Sequence, residues 1–178
     1  EELMNDEIVD IPAGCDGLVL QPFWQGGLTA PEARGAIIGF SDFHTRAHVY
    51  RAIIEGIDFA LREGLERMER RGRQKIEYIS VSGGGSQSDI ICQIAADIFN
   101  RPVRRAQTYE TSGLGAAIVT FVATGVHNDV RTAINEMVHY KDTFTPNPDN
   151  AAVYDDIYKN TYLKLYGKLQ RFYLRLDK

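Results

Sequence analysis

Ile76-Glu77-Tyr78-Ile79-Ser80-Val81-Ser82 runs into Gly83-Gly84-Gly85 and then Ser86-Gln87-Ser88-Asp89, after which Ile90, Ile91, Ile94, Ala95, Ile98 and Phe99 recur at helical spacing. A β-branched run, a glycine turn and an amphipathic stretch in that order predict a strand, a tight connection and a helix. Glycines permit positive φ and close backbone approach. A helix start carries N–H groups without intrahelical partners, so this junction suits a phosphate or the polar edge of a ligand. Ser86 and Ser88 can cap the helix or bond to ligand oxygen and nitrogen atoms. The turn lacks the lysine followed by Ser or Thr of a Walker loop and does not keep the spacing of a dinucleotide fingerprint. Taken alone, it reads equally as a tight turn with a serine cap.

Working outward, Pro102–Ala106 supplies a further short strand and Leu114–Ala123 a helix of small residues introduced by Thr111, Ser112 and Gly113. The βαβα alternation argues for an α/β layered domain with one sizeable core. Gly17–Pro22 and Ala36–Phe40 read as two strands of a hairpin-like pair. Between Ala47 and Met68, apolar residues including Tyr50, Ile53, Ile54, Ile57, Ala60, Leu61 and Leu65 recur every three or four positions. Arg51, Glu55, Asp58, Arg62, Glu63 and Glu66 mostly occupy the other face, which predicts a long amphipathic helix ended by Arg70-Arg71-Gly72-Arg73. Asn128 can cap a helix from Asp129 to His139, and Tyr154–Leu176 carries one long aromatic and aliphatic stripe that must pack on something.

The chain has 178 residues and a net charge of −4, with a pI of about 5.6. That balance lacks the basic footprint a phosphate backbone selects, so nucleic acid is not an expected partner. No run approaches the length of apolar sequence a membrane span needs, and Glu1-Glu2-Leu3-Met4-Asn5 lacks the basic-then-apolar order of a secretion signal. Cys15 and Cys92 are too few and too far apart for a disulfide framework, which points to a reducing, cytoplasmic setting. The start without methionine, in a stretch with no strong helix or strand pattern, fits a piece of a longer protein, and equally the removal of methionine or other processing.

Ile79–Ser88 followed by Gln93, Ala96-Asp97-Ile98 and Arg101-Pro102-Val103 resembles the adenosine-binding segment of the FGGY family of sugar kinases. Thr108–Ala117 follows at the interval that family uses. Upstream, Arg34-Gly35-Ala36, Gly39, His44–His48, Arg51-Ala52, Glu55-Gly56 and Ala60 match its strand and long helix. The resemblance runs from about Gly17 to Val126 and rests on three segments in the right order. It implies a fold similar to actin and hexokinase, in which two ribonuclease H-like lobes close around a cleft and the second holds most of the ATP. Residues 1–178 would then be that C-terminal nucleotide-binding lobe, a mixed sheet flanked by helices, with the N-terminal lobe absent.

Matched position by position, Gly84 and Ser88 correspond to the glycine and the polar residue, often asparagine, that contact adenosine. Gly83 and Gly85 correspond to the neighbours that let the nucleotide lie against the backbone, and Ser86 lies in the same turn. The resemblance further implies ATP with Mg²⁺ as cofactors and a sugar or polyol hydroxyl as acceptor. It implies no catalytic residue here, because the family's aspartate base lies upstream of this lobe; the chain alone is expected to hold ATP without phosphorylating a sugar. An actin-like regulatory or structural protein that binds nucleotide but no sugar is the alternative. A Rossmann-type oxidoreductase is a third reading, in which Arg104 and Arg105 would suit a 2′-phosphate.

Other candidates have plainer explanations. Asp6, Asp10, Asp16 and Asp42 are scattered acids that read as loop or cap residues. His44 and His48 have a metal-chelating spacing without a third ligand, which favours capping and packing. Glu110 precedes a helix start, where it can answer the helix dipole or face the cleft, and the dipole is the favoured reading. Trp24, within the loop from Pro22 to Pro31, reads as a loop anchor or a stacking surface. The tyrosine-rich tail reads as core, with exposed members available to a neighbouring copy in a homo-oligomer.

Overall fold

A computed structural model of the chain describes residues 2–26 and 30–176. Gly27, Leu28 and Thr29 of the Trp24 loop lie outside the described residues, as does Glu1. The elements in order are α1 (Glu2–Glu7), a 3-10 turn (Cys15–Gly17), β1 (Val19–Gln21), β2 (Ala36–Ile38), α2 (Arg46–Gly72), β3 (Ile79–Val81), a second 3-10 turn (Gly84–Gln87) and α3 (Asp89–Phe99). They continue with β4 (Val103–Ala106), α4 (Thr111–Ala123), α5 (Val130–Met137), β5 (Tyr140–Phe144), α6 (Pro148–Ile157), a π turn (Tyr158–Tyr162) and α7 (Leu163–Leu176).

The strands form two sheets. β1 and β2 pair antiparallel, Val19 opposite Ile38, which is the expected hairpin-like pair. β3 and β4 pair in parallel, Ile79 opposite Val103, with α3 as the crossover. β5 then adds antiparallel to β4, Phe144 opposite Val103, and makes that sheet mixed. Sequence periodicity missed β5, whose Tyr-Lys-Asp-Thr-Phe composition is that of a strand largely open to solvent.

The long helix α2 lies against β1 so closely that a side chain at Gly56 would sit 2.5 Å from the Leu20 carbonyl oxygen. Glycine is required there by contact. The predicted division of its faces is wrong in part. Arg51, Glu55, Asp58 and Arg62 are buried, whereas Leu61 is 57% and Met68 65% exposed. The reason is the tail, which covers the charged side. Arg51 donates to Glu55 (2.8 Å), the Ile8 carbonyl (2.9 Å) and the Tyr154 hydroxyl (3.0 Å), and Tyr154 donates to Glu55 (2.8 Å). Arg62 donates to Glu66, Asp155 and the Ile98 carbonyl and lies over the Tyr158 ring. Burial of Arg51, Glu55 and Arg62 is tolerable because each is paired and hydrogen-bonded.

The apolar core falls into two clusters that meet at α3. One gathers Leu18, Leu20, Phe59, Ile94, Ile98, Tyr154, Tyr158 and Tyr162. The other gathers Cys92, Ala95, Ala96, Phe99 and Val103, with Ile79, Val81 and Phe144 packed on it. The tail from Pro148 to Leu176 is one unbroken helical run, as its stripe predicts, in which a π turn at Tyr158–Tyr162 separates α6 from α7.

Three smaller expectations also shift. The amino-terminal stretch forms α1, tied down by Arg46 on Glu7 (2.6 Å) and by the Tyr50 hydroxyl on Asn5 (3.0 Å). Arg73, not Gly72, takes the left-handed conformation that ends α2, at φ 52°. Asp129, not Asn128, caps α5 by accepting from the Thr132 N–H at 2.8 Å. Among the described residues no helix is long and apolar enough to cross a membrane.

Candidate functional site

β3 ends one residue before the glycines, and Gly83 turns the chain with φ 85° and ψ −175°, a conformation that only glycine adopts without strain. Gly84–Gln87 then close a 3-10 turn, and Ser88 begins α3 with its Oγ accepting from the Ile91 N–H at 3.5 Å. Ser86 is 6% exposed, and its hydroxyl donates to the Gly83 carbonyl at 2.7 Å. Ser86 is thus a pin inside the turn, while Ser88 is its cap.

The two sides of the turn differ. Beneath it, the Ser86 carbonyl accepts from Arg105 (3.1 Å) and the Cys92 thiol (3.4 Å), and the Gln87 carbonyl accepts from Arg105 (3.3 Å). On the other side, a side chain built at Gly83, Gly84 or Gly85 would meet nothing within 4 Å. Among the described residues, no protein acceptor meets the N–H of Gly84 or Gly85, whereas the Gly83 N–H donates to the Tyr109 carbonyl at 3.3 Å. Gly84 and Gly85 also have negative φ. Neither backbone conformation nor packing within the chain therefore requires glycine at 84 or 85. Their lack of side chains leaves a shelf of backbone with unpaired donors at a helix start, the geometry that receives a phosphate or the edge of a base.

Hollows flank this shelf. One of about 190 Å³ is lined by Gly84, Gly85, Gln87, Ser88 and Ile91 from the turn and α3, with Asn5 from α1 and Tyr50 from α2. A larger one of about 520 Å³ continues past Ser88 to Asp6, Val9 and Gln93. A third, about 270 Å³, opens on the far side between Gln87, Arg105, Tyr109 and Lys141. Sequence reading missed Asn5 and Tyr50. Asn5 lies in a stretch without pattern, and Tyr50 falls on the apolar stripe of α2.

The remaining candidates fall elsewhere or serve structure. His48 completes a capping box at the start of α2, its Nδ1 accepting from the Thr45 N–H at 3.2 Å, and its Nε2 lies 3.3 Å from Asp16. Among the described residues no group of three His, Cys, Asp or Glu stands together as a metal cage. Glu110 occupies the cap position of α4 without a side-chain capping bond. Trp24 is 62% exposed and its ring occupies the space a side chain at Gly35 would need. Burial pushes the Cys15 thiol up to about 12 and the Cys92 thiol up to about 11, so both are neutral and unreactive. Arg104 stacks on Tyr78, 3.9 Å from its ring centre, and Arg105 is spent beneath the turn, so the pair does not form the 2′-phosphate site of the oxidoreductase reading.

Residues 1–124 match the family described as the FGGY family of carbohydrate kinases, C-terminal domain. An uncharacterised sugar kinase of Escherichia coli K12 is 36% identical over 165 residues, which cover 93% of this chain and 34% of that protein. A xylulose kinase of Lactococcus lactis is 35% identical over 162 residues, 89% of this chain and 32% of its own length. The crystal structure of a ligand-bound xylulose kinase from Lactobacillus acidophilus superposes with a TM-score of 0.82 at 26% identity, covering 98% of this chain and 36% of that one. The chain spans about a third of the length of the curated relatives it matches.

Proposed function

Because the chain belongs to the FGGY family of carbohydrate kinases, we propose that it supplies the adenosine-binding lobe of an ATP-dependent kinase acting on a sugar or polyol. One observation carries this reading: Gly84 and Gly85 form an open backbone shelf that the fold itself does not require. On this proposal Gly83 makes the bend, Gly84 and Gly85 let the nucleotide lie on the backbone, Ser88 offers its hydroxyl at the edge, and Ser86 holds the turn from within. The hollow lined by Asn5, Tyr50 and Ile91 is where the base would rest. Serine is shorter than the asparagine common in the family at position 88, so a water bridge would complete its contact.

In the complete reaction the acceptor hydroxyl oxygen bonds to the γ-phosphorus, the bond to the bridging oxygen of ADP breaks, and the hydroxyl proton passes to a base. Catalysis of such transfers is mostly positioning and charge stabilisation. The described residues do not form a cage for Mg²⁺. We assign the base and most sugar contacts to sequence outside this chain. Two buried, neutral thiols suit a cytoplasmic enzyme. The kinases among the relatives favour this reading over a nucleotide-binding structural protein without a sugar substrate.

Titration calorimetry of the chain with ATP, ADP and NADPH in the presence of Mg²⁺ tests the proposal. Saturable adenine-nucleotide binding is expected, with a dissociation constant on the order of 10⁻⁴ M for one side of a cleft. Gly84→Val should fold and lose that binding, because a β-branched side chain would stand where the ligand approaches. Binding of NADPH alone, or a folded Gly84→Val chain with unchanged ATP affinity, would remove the glycine shelf from the mechanism.

A further inference from the structure

We propose that Arg105 is a positioning residue that holds the glycine turn ready for its nucleotide, an inference that rests on the nucleotide site proposed above. Arg105 stands on β4 and is 9% exposed. Its Nη1 donates to the carbonyls of Ser86 (3.1 Å) and Gln87 (3.3 Å) and lies 2.8 Å from an Asp89 carboxylate oxygen. Its Nε donates to Asp142 at 2.8 Å, and Nη2 bonds the same carboxylate oxygen. One guanidinium thus joins the turn, the first residue of α3 and the strand β5.

The direction of these bonds is what matters for the ligand. The peptide unit is planar, so its C=O and N–H edges point opposite ways. Drawing the Ser86 and Gln87 carbonyls onto β4 fixes the rotation of the turn about its own axis. Those two peptide units carry the N–H groups of Gln87 and Ser88; because the carbonyls along a 3-10 turn all point one way and the N–H groups the other, holding them also sets the Gly84 and Gly85 N–H groups at the opposite end of the turn, where an added side chain would meet nothing within 4 Å. The planar fork of arginine serves two carbonyls and two carboxylates from one side chain, which a lysine ammonium cannot reproduce. A purely structural ion pair would need only Asp142. The two carbonyl bonds add nothing to the pairing of β4 with β5, and they end on the turn where the ligand sits.

The test compares wild type, Arg105→Gln, Arg105→Lys and Asp142→Asn by ATP titration with Mg²⁺, by thermal midpoint and by amide exchange across residues 83–91. Arg105→Gln should weaken ATP binding at least about tenfold and speed exchange across the turn. Arg105→Lys should recover part of the affinity. Asp142→Asn keeps the carbonyl bonds, so it should lower the midpoint while leaving ATP affinity within about twofold. A folded Arg105→Gln chain with wild-type affinity overturns the proposal, as does affinity lost by Asp142→Asn in proportion to its stability. If Arg105→Gln does not fold, unchanged affinity in folded Arg105→Lys overturns it instead. A wild-type chain that binds no ATP sinks the nucleotide site itself and this role with it, and the exchange data then report separately whether Arg105 orders the turn.

Discussion

Two glycines show how one residue type answers to different causes. Gly56 is required from inside, by the Leu20 carbonyl that α2 approaches. At Gly84 an added side chain would meet nothing within 4 Å and the backbone is ordinary, so nothing within the chain requires it, and the proposed nucleotide site gives it a reason. Asp58 poses the opposite problem, a carboxyl group enclosed without full satisfaction. One of its oxygens is buried with no hydrogen-bond partner. Burial, and after it the neighbouring Glu55, push this carboxyl up from 3.8 to about 7. The folded chain therefore keeps a proton that the unfolded chain has released between about pH 4 and about pH 7, and stability contributed by this group falls as pH rises through that window. Asp58→Asn should remove the decline. Its thermal midpoint should exceed that of wild type at about pH 8 and approach it near pH 4; parallel curves would mean that Asp58 does not titrate there.

At the level of elements, the tail helices meet the rest of the chain through a buried acid and a change of helical winding. Asp97 on α3 is 2% exposed. It accepts from the Asn147 N–H (2.7 Å), the Asn150 amide (2.9 Å) and the Gln93 amide (2.8 Å). Asn147 in turn caps α6, its Oδ1 accepting from the Asp149 N–H at 2.9 Å. Asp97→Ala would leave the Asn147 N–H and the Asn150 amide without this acceptor at the point where α6 starts, while the Gln93 amide keeps the Thr145 carbonyl. A loss on the order of 3 kcal/mol is expected in denaturant unfolding; a change within experimental error would show that the link is dispensable. The π turn has a related role. Residues four apart drift round an α-helix, since four exceeds the 3.6 residues of a turn. The wider turn at Tyr158–Tyr162 counters that drift, so Tyr154, Tyr158 and Tyr162 all reach Phe59, at ring-centre distances of 6.0, 5.9 and 5.2 Å.

For the whole molecule, the family match ends at residue 124, yet the largest fully buried side chains include Tyr154, Tyr158 and Tyr162 beyond it. Those rings close the core over Phe59, and the tail also covers the ions of α2. A chain ending at residue 146 would expose Phe59 and leave Arg51 and Glu55 without Tyr154, and Arg62 without Asp155. It should lose cooperative thermal unfolding and bind a dye that reports exposed apolar surface. Retention of a sharp transition would show that residues 2–146 hold their own core.

The order of elements and the glycine turn were readable from the sequence because they rest on local causes. β-branched runs, helical spacing and the glycines at 83–85 act within a few residues of chain, and the run of motifs around them marked the family. The charged side of α2, the strand β5 and the role of Arg105 were not readable. Arg51, Glu55 and Arg62 look like a solvent face until α6, about a hundred residues on, covers them. Tyr140–Phe144 is a strand because β4 offers it an edge, and its own residues carry no apolar alternation. Arg105 reads as half of a basic pair until the fold sets it under two carbonyls of the turn. Local propensity depends on neighbours in sequence, whereas burial and hydrogen-bond partnership depend on neighbours in space, and those exist only once the chain has folded.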